Sequence, residues 1–114
     1  MTKALIILHA APDAPDNRSY TAIRLAGAML ADNKDVHLFL VEDGARLADP
    51  ELPEGNPCRA LFYELLDVGL DVQVCGSTMR GLGWEDGYPL PGVKKSSMKG
   101  LSALISEADE VITF

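Results

Sequence analysis

The chain is poor in cysteine. Its 114 residues include only Cys58 and Cys75, too few for a disulfide framework. Both are expected as thiols, each to be judged on its surroundings. Long apolar runs are missing as well, and a bilayer span needs about 20 such residues. Met1-Thr2-Lys3-Ala4 leads straight into a short strand-like run, with no secretory h-region and cleavage site. The expectation is a cytoplasmic protein without a membrane partner. Positive charge is scarce: ten Lys and Arg stand against seventeen Asp and Glu, a formal charge of -7. Such a surface repels nucleic-acid phosphates and anionic lipid heads. It suits a basic protein partner, or solubility alone.

Two nucleotide signatures are also lacking. No Gly-x-Gly-x-x-Gly follows the first strand, and no Walker motif is present, which argues against dinucleotide and P-loop binding. The loop Ala10–Asn17 carries prolines and acids where a flavin phosphate loop would want Ser and Thr. No cofactor is expected. No repeat, low-complexity segment or linker divides the chain, so residues 1–114 read as one domain.

What is present is a regular alternation. Hydrophobic residues make up 47% of the chain, enough for a packed core. Lys3–His9 is a near-continuous apolar run, too short for a helix, and reads as a strand buried on both faces. A helix over Ser19–Ala31 follows, with Ile23, Ala26 and Leu30 inward, Gly27 on the same face, and Asp16 or Asn17 as the cap. Val36–Val41 is the second strand, broken by Glu42-Asp43-Gly44. After a proline-rich loop, Asn56-Pro57 marks a helix start. That helix carries Leu61, Phe62, Leu65 and Leu66 on one face, and Gly69 ends it. Asp71–Cys75 is the third strand.

The stretch Gly76–Ser97 holds five of the ten glycines. It reads as an irregular loop with a short helix near its start. Trp84, Tyr88 and Leu90 within it suggest an oligomer contact or a lid, against the plainer reading of a loop packed on itself. Ser97 caps a last helix with Leu101, Leu104, Ile105 and Ala108 inward, and Glu110–Phe114 is the final strand. Strands alternating with helices imply βαβ units, a mostly parallel sheet of four to five strands, and helices on both faces. The expected class is α/β, a flavodoxin-like three-layer domain, its four clear strands ordered 2-1-3-4.

Open parallel sheets bind ligands beyond the carboxyl ends of their strands. That rule gathers His9, then Glu42, Asp43 and Gly44, then Cys75, Gly76, Ser77, Thr78 and Arg80. A helix amino terminus or a nearby arginine raises the thiolate fraction of a cysteine; Gly76-Ser77-Thr78 and Arg80 are placed to supply both. Two readings of Cys75 stay open at this point: a reactive thiol, or an inert strand-end cysteine. Cys58, in the first turn of a helix, reads as structural. His9 is either a base or ligand-orienting group, or simply a hydrogen-bonded strand-end histidine. His9 and Cys75 alone do not make a metal site, and His37 lies inside the second strand.

Several segments resemble the DsrE/DsrF-like (YchN-like) family. Val72-Gln73-Val74-Cys75-Gly76 with Arg80-Gly81-Leu82 is similar to that family's active-site region. Ala4–Leu8 with Ala22–Ala26, Leu38–Ala45 and Ala108–Phe114 resemble its first strand and helix, its second strand with an Asp-Gly turn, and its ending. The resemblance implies a flavodoxin-like fold and a homo- or hetero-oligomer, often a trimer or hexamer. In sulfur-relay members it implies a cysteine that carries sulfur as a persulfide between a donor and an acceptor protein. The matching position is Cys75, with His9, Asp43, Gly44, Gly76, Ser77 and Arg80 lining the site. The competing expectation is a non-enzymatic ligand-binding or regulatory oligomer whose cleft Cys75 merely lines. A weaker third is reversible oxidation of Cys75.

Overall fold

The alternation is realised in the computed structural model, which describes residues 1–114. Five strands form the sheet: β1 (Lys3–Leu8), β2 (Asp35–Leu40), β3 (Asp71–Cys75), β4 (Val93–Ser96) and β5 (Glu110–Thr113). The helices are α1 (Arg18–Ala31), α2 (Pro57–Asp67), α3 (Gly76–Gly81) and α4 (Met98–Glu107). A 3₁₀ turn over Glu42–Ala48 follows β2. All neighbouring strand pairs are parallel.

The strand order is β4-β3-β2-β1-β5, not the 2-1-3-4 expected for the four legible strands. The three-layer parallel class stands; the winding differs. Each step from β1 to β2 to β3 to β4 moves to the same side. Right-handed crossovers then place α1 and α2 together on one face. The return through α4 spans the sheet in the opposite direction, so α4 lies on the other face and β5 lands beside β1.

This winding makes the two faces unequal. Even-numbered residues of β1, β2 and β3 (Ala4, Ile6, Leu8, Val36, Leu38, Leu40, Val72, Val74) join Ile23, Ala26, Phe62 and Leu65 in the large core under α1 and α2. Odd-numbered residues point the other way. There, Leu5, Phe39, Val41 and Cys75 meet only Leu101 of α4 in a small second core, with Ile7, Leu104 and Ala108 at its edge. Ile105, expected inward, is 45% exposed.

Capping differs in detail from expectation. Asn17 sits in the left-handed region (φ 56°) with no side-chain cap bond, while Asp16 Oδ1 accepts from the Arg18 N–H at 3.2 Å. Asn56 caps α2 through the Cys58 N–H, and Ser97 caps α4 through the Gly100 N–H. Leu90 is buried, and Trp84 packs on the large core. Tyr88 stacks on Trp84 with ring centroids 5.1 Å apart and donates its hydroxyl hydrogen bond to Asp49 Oδ1 at 2.8 Å. This loop packs against its own protein. Val93–Ser96, hidden in the glycine-rich stretch, is an edge strand.

Candidate functional site

The carboxyl ends of β1, β2 and β3 meet in one row. Leu8 pairs with Leu40, and Leu40 with Val74, so the next residues in line are His9, Val41 and Cys75. All three line a cavity of about 370 Å³, together with Ile7, Glu42, Ser77, Thr78, Met98 and Leu101. The cavity lies on the α4 face. A crossover helix runs antiparallel to its strands, so the first turn of α4 stands over the strands' carboxyl ends. Met98 and Leu101, one turn apart, form that wall. One helix does not cover the face, and the uncovered part is the cavity.

Cys75 ends β3 and is the residue before the first turn of α3. It is 3% exposed, reached through the cavity. Gly76 is buried behind it. A side-chain carbon there would come within 3.0 Å of Lys95 Cε and 3.2 Å of the Ser96 carbonyl oxygen, so glycine lets β4 close against the start of α3. Ser77 Oγ accepts a hydrogen bond from Arg80 Nη2 at 3.0 Å. Arg80 is exposed and bonds a cavity-lining hydroxyl without itself lining the cavity.

Glu42 is the unusual residue at the rim. Its φ of 52° puts a non-glycine residue in the left-handed region, a conformation that persists only where surroundings impose it. The Glu42 N–H donates to Thr78 Oγ1 at 3.1 Å, which ties the end of β2 to α3. Its carboxylate stands 3.6 Å from His9 Nε2. The His9 N–H donates to the Phe114 carbonyl at 2.7 Å, which holds the end of β1 against the end of β5. Asp43 faces a neighbouring shallow hollow of about 240 Å³ with Glu42, Thr78, Gly81 and Leu82. Gly44 is buried beneath, and a Cβ there would collide with the Leu8 carbonyl; only glycine allows the 3₁₀ turn to sit on β1. Arg46 grips Asp13 at two points, 2.9 and 2.6 Å, and so anchors the Ala10–Asn17 loop beside the 3₁₀ turn.

Of the residues expected at the site, His9, Glu42, Cys75, Ser77 and Thr78 share the cavity. Asp43 adjoins it, Gly44 and Gly76 shape its frame, and Arg80 stands outside. Ile7 and Val41 were missed as lining residues, although the two-residue period that points them the same way as Cys75 was a usable signal. Met98 and Leu101 had no such signal, since their place over the site depends on which face α4 takes.

Cys58 is buried on α2, with its Sγ 3.8 Å from the Pro12 carbonyl. Burial pushes its thiol up from the usual range, which keeps it protonated and a poor nucleophile. No group of three or more His, Cys, Asp or Glu side chains is arranged to hold a metal ion, and no helix is long and apolar enough to cross a membrane.

The sequence model of the DsrE/DsrF-like family matches residues 2–114. An uncharacterised protein of Methanocaldococcus jannaschii is 33% identical over 117 residues, covering 98% of this chain and 99% of that protein. An uncharacterised protein of Methanopyrus kandleri is 36% identical over 101 residues, covering 85% and 82%. Among solved structures, the ychN protein of E. coli matches with a TM-score of 0.87 at 27% identity, over 100% of both chains. A protein of unknown function from Methanobacterium thermoautotrophicum matches with a TM-score of 0.83 at 16% identity, again over 100% of both chains; that likeness concerns the fold alone.

Proposed function

The chain belongs to the DsrE/DsrF-like family, and from that premise we propose that it is a sulfur carrier that takes sulfane sulfur as a persulfide on Cys75 and passes it to a partner protein. The observation that carries this reading is the placement of one thiol, and not the other, against a walled cavity at the carboxyl ends of the strands. A thiolate attacks the outer sulfur of a donor persulfide, and the donor leaves as a thiolate. An acceptor thiolate then attacks the outer sulfur of the Cys75 persulfide, and Cys75 leaves as its thiolate. The apolar side of the cavity, Ile7, Val41, Met98 and Leu101, shelters the carried sulfur from water and oxidants between the two steps.

Under the same proposal the protein works as a homo-oligomer. Support comes from the thin cover on the α4 face, where Met98, Ile105 and Val111 are 53%, 45% and 44% exposed. Its formal charge of -7 suits a basic donor or acceptor protein.

Incubation with a low-molecular-weight hydropersulfide should add one sulfur atom to the intact mass. The gain should vanish in Cys75→Ser and persist in Cys58→Ser. If Cys75→Ser gains sulfur as readily as wild type, the carrier reading fails. The near-complete burial of Cys75 favours one competitor, a ligand-binding module in which the thiol is only wall. That competitor requires Cys75 to alkylate at neutral pH no faster than Cys58.

A further inference from the structure

We propose that His9 is the proton donor to the departing thiol in sulfur loading, and that Glu42 is the residue that positions it; this inference rests on the carrier reading of Cys75.

His9, Val41 and Cys75 form one row across the ends of β1, β2 and β3. Adjacent parallel strands lie about 4.8 Å apart, so main chains two strands apart are separated by about 10 Å. His9 and Cys75 are two strands apart in the order β3-β2-β1. At that spacing the imidazole is not placed to take the proton of Cys75 directly. It is placed for something bound between them. The two side chains enter the same cavity from opposite ends of the row, with Val41 as the floor. A sulfur–sulfur bond is about 2.05 Å long, so a donor persulfide fits in the gap with its outer sulfur on Cys75 and its inner sulfur toward His9.

An acid placed there assists the step. Cys75 thiolate forms a bond to the outer sulfur of R–S–S–H, the S–S bond breaks, and the electron pair leaves on R–S⁻. That anion forms in a cavity with a mainly apolar wall, beside a carboxylate, and neither environment welcomes it. A proton from the His9 imidazolium converts it to R–S–H and leaves neutral imidazole. The exchange is redox-neutral and uses no further reactant. Of the nine residues that line the cavity, only His9, Glu42 and Cys75 titrate, and Asp43 borders the adjoining hollow. The Glu42 carboxylate stands 3.6 Å from His9 Nε2.

The backbone of Glu42 supplies the second, independent support. A glutamate at φ 52° is strained where glycine would be relaxed. The Thr78 hydroxyl accepts a hydrogen bond from its N–H, and from that backbone position the carboxylate stands 3.6 Å from His9 Nε2. Strain held at a cavity rim is a mark of function.

The test is the single-turnover rate at which glutathione hydropersulfide loads Cys75, measured across the pH range of imidazole and thiol titration. Wild type should give a bell, rising as thiolate forms and falling as the donor's own S–H and the imidazolium are lost. His9→Gln should make the alkaline fall shallower, leaving only the donor's part of it, and slow the maximum by about tenfold, less than a positioned acid usually contributes because thiolates leave readily. Glu42→Gly should load more slowly and yet melt at a higher temperature, a split that a merely structural role would not produce. A His9→Gln profile that keeps the wild-type rate and both limbs overturns the inference while leaving the carrier reading intact. So does a Glu42→Gly variant that loads as fast as wild type. Wild type that gains no sulfur at all brings down the carrier reading, and this inference with it.

Discussion

At the scale of single residues, polar groups are settled by partners far away in sequence. Arg59 is 1% exposed and has no carboxylate partner. Its Nη2 donates to the Asp49 and Leu52 carbonyls, both at 2.6 Å, its Nε has no hydrogen-bond partner, and its guanidinium lies 5.4 Å from the Tyr63 ring centroid. Asp49, whose carbonyl takes one of these bonds, uses its carboxylate to accept the Tyr88 hydroxyl. That hydrogen bond pushes the Tyr88 phenol up from 10.0 to about 12, because a phenolate beside Asp49 would lose the bond and be repelled. A folded-state value above the unfolded one stabilises the protein fully below pH about 10 and is lost as pH rises through about 12. Followed by phenolate absorbance, one of the three tyrosines should therefore ionise late, and Tyr88→Phe should remove that late step. A late step that survives the substitution would refute the assignment. Nothing in the local sequence marks Arg59 as buried or Tyr88 as anchored, since each depends on loops that meet only after folding.

Elements were legible where they carry a period or a cap. The apolar run of β1, the Asn56-Pro57 start of α2 and the Ser97 start of α4 are local signals, and each is found where it was expected. Strand β4 was not legible. Val93–Ser96 has the burial pattern of an edge, half-buried at its ends and exposed between, and Lys94 and Lys95 read as loop. Helix α4 is the element on which the site depends, because it alone covers the face bearing Cys75. Ser97 Oγ accepts from the Gly100 N–H at 3.1 Å; Ser97→Ala should cost about 1 kcal/mol of stability. The loss should be felt locally as fraying of the first turn, which carries Met98 and Leu101. Cys75 should then alkylate faster than in wild type while Cys58, under α2, keeps its rate. Equal acceleration of both thiols would mean that α4 is not the cover.

For the whole molecule, unequal covering of the two faces is the dominant fact. Three helices, α1, α2 and the short α3, contribute to the core on one side of a five-stranded sheet, and α4 alone to the core on the other. The exposed Ile105 and Val111 belong to the thinly covered side, and apolar surface left in that position favours self-association. Ile105→Lys with Val111→Lys should lower the mass seen by light scattering and leave the far-ultraviolet dichroism of the fold unchanged. A doubly substituted protein of unaltered mass would place the contact elsewhere, and a wild-type monomer would remove it.

The sequence by itself determined the class of the fold, the core under α1 and α2, and the arrival of Cys75 at a strand's carboxyl end. Those are consequences of local periodicity, turn residues and the rule for parallel sheets, all of which operate within a few residues. Only the tertiary structure decided the strand order and the face taken by α4. Each connection can place its strand on either side of β1, and hydrophobic pattern alone does not distinguish the sides. From that choice follow the alignment of His9, Val41 and Cys75 in one row, the wall of Met98 and Leu101, and the aim of Glu42 at His9.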